Sequence, residues 1–239
     1  MSVYFISDLH LSQERPEISR LFLDFLRYQA IKAEALYILG DLFEVWLGDD
    51  MILPDYTPAL EQIAATVEHG TRVYVMYGNR DFLMRDRFEQ LSGAVLIHEP
   101  CVIDLYGTKT LLLHGDTLCT DDVEYQKFRA MVHNPAWQNE LLSKTPQERL
   151  DLAKKFREIS KTETAQKASE IMDVNQQAVQ QTMLQHGVHH LIHGHTHRPA
   201  IHEFELEGKP AKRVVLADWY KTGAYLSVDE TGYKTHEIN

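Results

Sequence analysis

Short apolar runs, each broken off by a glycine or a polar residue, recur along the chain. Val3-Tyr4-Phe5-Ile6-Ser7, Leu36-Tyr37-Ile38-Leu39, Val73-Tyr74-Val75-Met76-Tyr77, Leu111-Leu112-Leu113 and Leu191-Ile192 each read as a buried strand. Between the first three, apolar positions return at helical spacing. Ile18, Leu21, Phe22, Phe25 and Leu26 share one face and Pro16 suits a first helical turn, which predicts a helix over 16–31. Leu60, Ile63, Ala64 and Val67 form a second stripe, capped by Thr57-Pro58 and closed by Gly70. Residues 82–91 read as a third helix. Strands alternating with helices over about the first 80 residues argue for parallel βαβ units and an α/β fold.

The rhythm then changes. Residues 94–104 and 109–113 are extended runs joined around Tyr106-Gly107, in the manner of an antiparallel hairpin. Residues 121–186 hold no strand pattern. Tyr125, Phe128, Met131 and Val132 predict one helix there, Leu150 to Ile159 a second and Ala168 to Gln185 a third. Beyond 200, short alternating strands return, with turns at Gly208 and at Asp229-Glu230-Thr231-Gly232. The expected organisation is a core of residues 1–120 and 187–239 carrying a helical cap insertion at 121–186.

Charge narrows the function classes. Thirty-five acidic against 24 basic residues give a net charge of -11, which disfavours non-specific nucleic-acid binding. The first residues enter a strand directly with no signal peptide, and no transmembrane segment is evident, so the chain is expected to be soluble or held at a membrane surface. Cys101 and Cys119 make no paired metal or redox motif, which suits a reducing cytoplasm.

Each of the five runs delivers a polar cluster just past its end: Asp8-Leu9-His10, Gly40-Asp41, Gly78-Asn79-Arg80-Asp81, His114-Gly115-Asp116 and Gly194-His195-Thr196-His197. His195 and His197, two positions apart, would point to one side of an extended chain. A single histidine after a strand is usually structural, but five clusters of one grammar point to a shared site. Asp8, His10, Asp41, Asn79, His114, His195 and His197 offer more donors than one ion needs and suit two ions sharing a carboxylate. Mixed oxygen and imidazole donors fit manganese, iron or zinc better than calcium or copper. Two such ions clamp the attacked and leaving oxygens of a phosphoryl centre.

These five blocks resemble those of the calcineurin-like metallophosphoesterases. That resemblance implies a sandwich of mixed sheets flanked by helices. One departure is that Arg80 stands where most of the superfamily carries histidine. Leu36 through Glu44, Trp46, Gly48-Asp49-Asp50, His114 through Asp122, Ile171-Met172-Asp173-Val174-Asn175 and Leu191 through Pro199 resemble one branch over essentially the whole chain. This branch is the pyrophosphohydrolases that act on UDP-2,3-diacylglucosamine in lipid A biosynthesis.

The resemblance implies two Mn2+ ions. One would be held by Asp8, His10, Asp41 and His197, the other by Asp41, Asn79, His114 and His195. Water would attack the uridine-side phosphorus, releasing UMP and the diacylated sugar 1-phosphate, with Asn79, Arg80 and His195 acting at the reacting phosphate. Asp122, Ser160, Thr164 and Lys167 would contact substrate, position 164 being asparagine in familiar relatives. The insertion would receive the acyl chains, with Trp137, Leu141, Leu142, Leu150, Leu152, Phe156 and Ile159 lining a cavity. Read without the family, those residues are the insertion's own small core. The expected location is the cytoplasmic face of the inner membrane, peripherally bound, with no nucleic acid and no obligate protein partner. The polar stretch 138–151 predicts a weak grip on that surface. The alternatives are another dinuclear-metal nucleotide pyrophosphatase or phosphodiesterase and, from a different class, a non-catalytic scaffold of the same fold.

Overall fold

The computed structural model describes residues 2–166 and 171–238. In chain order the elements are β1 (Val3–Ile6), α1 (Pro16–Tyr28), β2 (Ala35–Leu39), α2 (Thr57–Glu68), β3 (Arg72–Met76), α3 (Asp86–Ser92), β4 (Val95–Ile97), β5 (Cys101–Leu105) and β6 (Thr108–Leu112). Four helices follow: α4 (Val123–Val132), α5 (Pro135–Leu142), α6 (Pro146–Gln166) and α7 (Gln176–Gln185). The chain closes with β7 (His190–His193), β8 (Ala200–Leu206), β9 (Lys209–Val215), β10 (Gly223–Asp229) and β11 (Gly232–Ile238).

Two mixed sheets result. The first runs β11-β10-β1-β2-β3-β4, parallel from β1 to β4, with β10 antiparallel to β1. The second runs β5-β6-β7-β9-β8, with β6, β7 and β9 parallel. Strand alternation sorts the side chains. Phe5, Leu39 and Met76 of the first sheet meet Leu112, Ile192 and Val214 of the second in a shared inner core. Leu36, Ile38, Val73 and Val75 face the other way, against Phe22, Phe25, Leu60 and Ile63 of α1 and α2. Leu111 and Leu191 face Val179 and Met183 of α7. Each sheet is thus covered on its outer face by helices, the sandwich of mixed sheets flanked by helices that the resemblance implied.

Several boundaries differ from the sequence pattern. The helix predicted over 16–31 stops at Tyr28, and a single tighter turn spans Ala30–Lys32. Thr57 is the first residue of α2 rather than its cap, because a turn at Pro54–Tyr56 runs straight into the helix. The helix predicted from 82 begins at Asp86. Its opening donors are satisfied from a distant loop, with Asp49 accepting from the backbone nitrogens of Arg85 at 3.1 Å and Arg87 at 2.7 Å. The run 94–104 is two strands, not one arm of a hairpin. Val95–Ile97 extends the first sheet, then the chain passes Glu99-Pro100 and Cys101–Leu105 joins the second. The predicted hairpin turn at Tyr106-Gly107 stands.

In the insertion, α5 was not anticipated, although Asn134 caps it by accepting from the backbone nitrogens of Ala136 and Trp137, and Pro135 follows. α6 outruns the predicted 150–159 at both ends. Thr145 and Glu148 form a capping box at its start, each side chain reaching the other's backbone nitrogen. Of the third predicted helix, 168–170 lie outside the described residues, 171–175 are not helical, and α7 begins at Gln176, capped by Asn175. Trp137, Leu141, Leu142 and Leu152 are not a core private to the insertion: they pack onto the cluster beneath the first sheet. Phe156 does stay among cap helices, its ring 5.2 Å from Phe128 and 6.2 Å from Trp137. Arg149, 4% exposed, anchors α6 by donating to the carbonyl of Leu47 at 2.9 Å and to both oxygens of Asp50. Among the described residues no helix is long and apolar enough to cross a membrane.

Candidate metal centre

The loops that leave the strands do not fan apart but continue pairing. Asp8 N donates to Gly40 O at 3.1 Å, His10 N to Asp41 O at 2.9 Å, Leu11 N to Leu42 O at 3.0 Å and Glu44 N to Leu11 O at 3.1 Å. This ladder locks the first two clusters together. Within it the backbone takes conformations that side-chain-bearing residues avoid. Asp8 (φ 57), His10 (φ 49), Asp41 (φ 52), His195 (φ 68) and His197 (φ 54) are all left-handed. Such positions cost of order 1–3 kcal/mol each and persist where surrounding contacts impose them. They also correct the expectation of an extended 195–197 segment. β7 ends at His193, and the two histidines converge through left-handed turns instead of strand alternation.

All seven sequence-predicted donors meet there. Asp41 splits its carboxylate, with Oδ2 3.7 Å from His10 Nε2 and Oδ1 3.8 Å from His114 Nε2. Asn79 Oδ1 lies 3.0 Å from His114 Nε2 and 3.0 Å from His195 Nδ1. Asp8 Oδ1 lies 3.5 Å from His197 Nε2. Asp8, His10 and His197 offer ligand atoms within 4.8 Å of one another, and so do Asp8, Asp41 and His114. Gly78 permits the approach of β3's loop to β2's: a Cβ there would sit 2.2 Å from Asp41 Oδ1.

Electrostatics reflect crowded carboxylates. Burial pushes Asp41 up to about 7, with Asp81 and Asp8 adding to the effect and His114 opposing it. For His114 burial pulls downward, but Asp41, Asp8, Asp116 and Glu99 prevail and lift it to about 10. Burial would raise Asp8, yet the close His197 imidazole and the neighbouring histidines hold it below the carboxylate range. Burial drives His10 down to about 3 against the pull of Asp8.

These residues fit divalent cations. Nε2 of His10 and Oδ1 of Asp8 are buried with no hydrogen-bond partner. Leaving such atoms unpaired costs about 1–3 kcal/mol apiece, a penalty that coordination removes. Carboxylate, amide and imidazole donors are the set that manganese, iron and zinc accept.

The structure also brings in residues that sequence reasoning did not single out. Asp218 Oδ2 lies 3.6 Å from His197 Nδ1, and the carbonyl of Leu39 accepts from His114 Nδ1 at 2.9 Å, so each ring's far nitrogen has a partner. Behind His114, Glu99 accepts from its backbone nitrogen, while Arg129 of α4 pairs with Glu99 at 2.6 Å and Asp116 at 2.7 Å. Tyr125 donates to Asp116 at 2.8 Å and sets its ring 5.7 Å from that of His195. Asp116 stands in the His114-Gly115-Asp116 cluster, but nothing in local spacing links Asp218, Glu99, Arg129 or Tyr125 to it. Asp81 accepts from the backbone nitrogens of Gly78 and Phe43, bracing the Asn79-Arg80 loop.

Of the expected substrate contacts, Arg80 is half-buried beside the donors, its Nη1 3.9 Å from Glu44. Asp122 caps α4 by accepting from Tyr125 N at 3.1 Å, and Ser160 is half-buried on α6. Lys167 and the side chain of Thr164 lie outside the described residues.

A family model for calcineurin-like phosphoesterases matches residues 1–199, and the chain belongs to that family. Its relatives within the family are more particular. A UDP-2,3-diacylglucosamine hydrolase of Marinobacter nauticus is 52% identical over 223 residues, covering 92% of this chain and 90% of its own. The enzyme of that name from Serratia proteamaculans is 51% identical over 228 residues and covers 95% of both chains. Its counterpart from Azotobacter vinelandii is 48% identical, over 98% of this chain and 97% of the other. A solved archaeal phosphodiesterase shares the fold at a TM-score of 0.51, with 12% identity across 100% of both chains.

Proposed function

We propose that this protein hydrolyses the diphosphate of UDP-2,3-diacylglucosamine, releasing UMP and 2,3-diacylglucosamine 1-phosphate in lipid A biosynthesis. The meeting of Asp8, His10, Asp41, Asn79, His114, His195 and His197 in one centre carries the reading, in a chain up to 52% identical to hydrolases named for that substrate. Two manganese ions, one on Asp8, His10, Asp41 and His197 and one on Asp41, Asn79, His114 and His195, would supply Lewis-acid charge at the reacting phosphoryl group. Arg80 holds a non-bridging oxygen with its forked, permanently charged donors. Asn79 and His195 orient the uridine-side phosphate, and fixed donors stabilise the charge that builds in the transition state. Water adds to that phosphorus, and the bridging oxygen departs with the sugar 1-phosphate.

Residues 121–186 act as a cap on the core of 1–120 and 187–239, and receive the acyl chains beside Phe128, Phe156 and Ile159. Asp122, Ser160, Thr164 and Lys167 contact substrate. The protein works peripherally at the cytoplasmic face of the inner membrane, held weakly because α5 and the start of α6 present a polar surface.

The test is turnover of UDP-2,3-diacylglucosamine by purified, manganese-loaded protein in water enriched in oxygen-18. Label should appear in UMP. Label in the sugar phosphate would move the attack to the other phosphorus, and turnover of simple nucleotide diesters alone would favour another phosphodiesterase activity. Sedimentation with anionic vesicles should show binding that high salt abolishes.

A further inference from the structure

Glu44 stands three positions after Asp41, and the ladder between the two ligand loops sets it against His10. Glu44 N donates to Leu11 O at 3.1 Å, and Leu11 bridges to Phe43. Its two oxygens then face different partners. Oε2 lies 3.5 Å from His10 Nδ1. Oε1 lies 3.1 Å from Arg157 Nε and 3.9 Å from Arg80 Nη1. The Glu44 side chain is only 14% exposed, so two guanidinium groups and one imidazole surround a largely enclosed carboxylate.

A histidine that gives one nitrogen to a cation needs its other nitrogen held, or the ring turns freely about its bonds to the backbone. His114 has the Leu39 carbonyl for this, and His197 has Asp218. For His10 the group opposite Nδ1 is Glu44, which leaves Nε2 directed at Asp41 Oδ2, 3.7 Å away. Arg157 arrives from α6 and donates through Nη2 to Glu14 at 2.9 Å, so its ion pair with Glu44 ties a cap helix to a candidate ligand on the core.

We infer that Glu44 is a positioning residue: it aims His10 Nε2 into the cation site and couples that ring to Arg157 of the cap and to Arg80. This rests on His10 being a metal ligand, the reading adopted above. The test titrates Mn2+ into metal-free wild-type protein, Glu44→Gln, Glu44→Met and His10→Ala, following each binding step by calorimetry. Removing a partner behind a ligating histidine lowers metal affinity by about 10–100-fold. Glu44→Gln should weaken one of two steps toward the lower end of that range, Glu44→Met should weaken it further, and the other step should hold. Thermal unfolding of the metal-free forms should stay near wild type. Arg157→Met should weaken the same step by a smaller factor, and no change would remove the cap from the linkage. If His10→Ala loses a step while both Glu44 variants bind as wild type, the positioning role is overturned and the ligand reading survives. If His10→Ala itself binds as wild type, both fall. Glu44→Gln, which keeps the side chain's shape, decides the matter should Glu44→Met not fold.

Discussion

The backbone nitrogen of His195 donates to Oδ2 of Asp8 at 2.9 Å, closing the centre between loops 187 positions apart. The contact exists because residue 194 is glycine. A Cβ there would lie 2.3 Å from that same oxygen and 2.3 Å from Ser7 Oγ. Gly194→Ala should therefore displace the Asp8 carboxylate. Elemental analysis should show lost metal and assays lost turnover, with the circular dichroism spectrum retained.

Asp41 faces His10 with one oxygen and His114 with the other. Asp41→Ala should abolish turnover and cut bound metal while the protein remains folded. An active Asp41→Ala enzyme would sink the two-cation arrangement.

Arg80 has a different expected signature. Its guanidinium lies beside the donors, yet arginine is not a metal ligand. Arg80→Ala should depress kcat by roughly 100-fold or more, the order seen when one donor to a transition-state oxyanion is removed. Metal content should stay near wild type, and equal loss of metal would show the role misassigned.

Protons compete with cations at this centre. In the metal-free protein Asp41 is pushed up to about 7 and His114 to about 10, so near neutral pH His114 holds a proton and Asp41 is partly protonated, and metal binding must release those protons. Metal affinity should therefore rise with pH across that window and fall on acidification, with proton release on binding. Calorimetry in buffers of different ionisation enthalpy measures the release directly.

Arg149 tests the seating of α6. Arg149→Met removes donors from the buried Leu47 carbonyl and from the carbonyls of Leu142 and Lys144. An unsatisfied buried acceptor costs about 1–3 kcal/mol, and the exposed Asp50 adds little. For a chain of this size about 2 kcal/mol lowers Tm by roughly 4–8 °C, readable by differential scanning calorimetry.

Much of this was legible in the chain because the signals are local. Val3–Ile6, Ala35–Leu39 and Arg72–Met76 are largely apolar runs cut by candidate ligands, and Ile18 to Leu26 repeat at helical spacing. Strand-then-ligand grammar sufficed to collect Asp8, His10, Asp41, Asn79, His114, His195 and His197. The errors fall where a distant group overrides local preference. α3 starts at Asp86 because Asp49 supplies its cap from another loop, and residues 94–104 split because each half finds a different sheet to pair with.

What the sequence determined by itself, then, was most of the strands and helices and which side chains are candidates for the chemistry, since periodicity and donor type are properties of neighbouring residues. Tertiary structure alone decided how those side chains are held. The left-handed turns at Asp8, His10, Asp41, His195 and His197 are imposed by packing between loops, not by their own preferences. The groups behind the candidate ligands (Glu44, Asp218 and the Leu39 carbonyl) are set by contacts between loops and strands. So is the attachment of α6 through Arg149 and Arg157. Such contacts depend on distances in space that no spacing along the chain encodes.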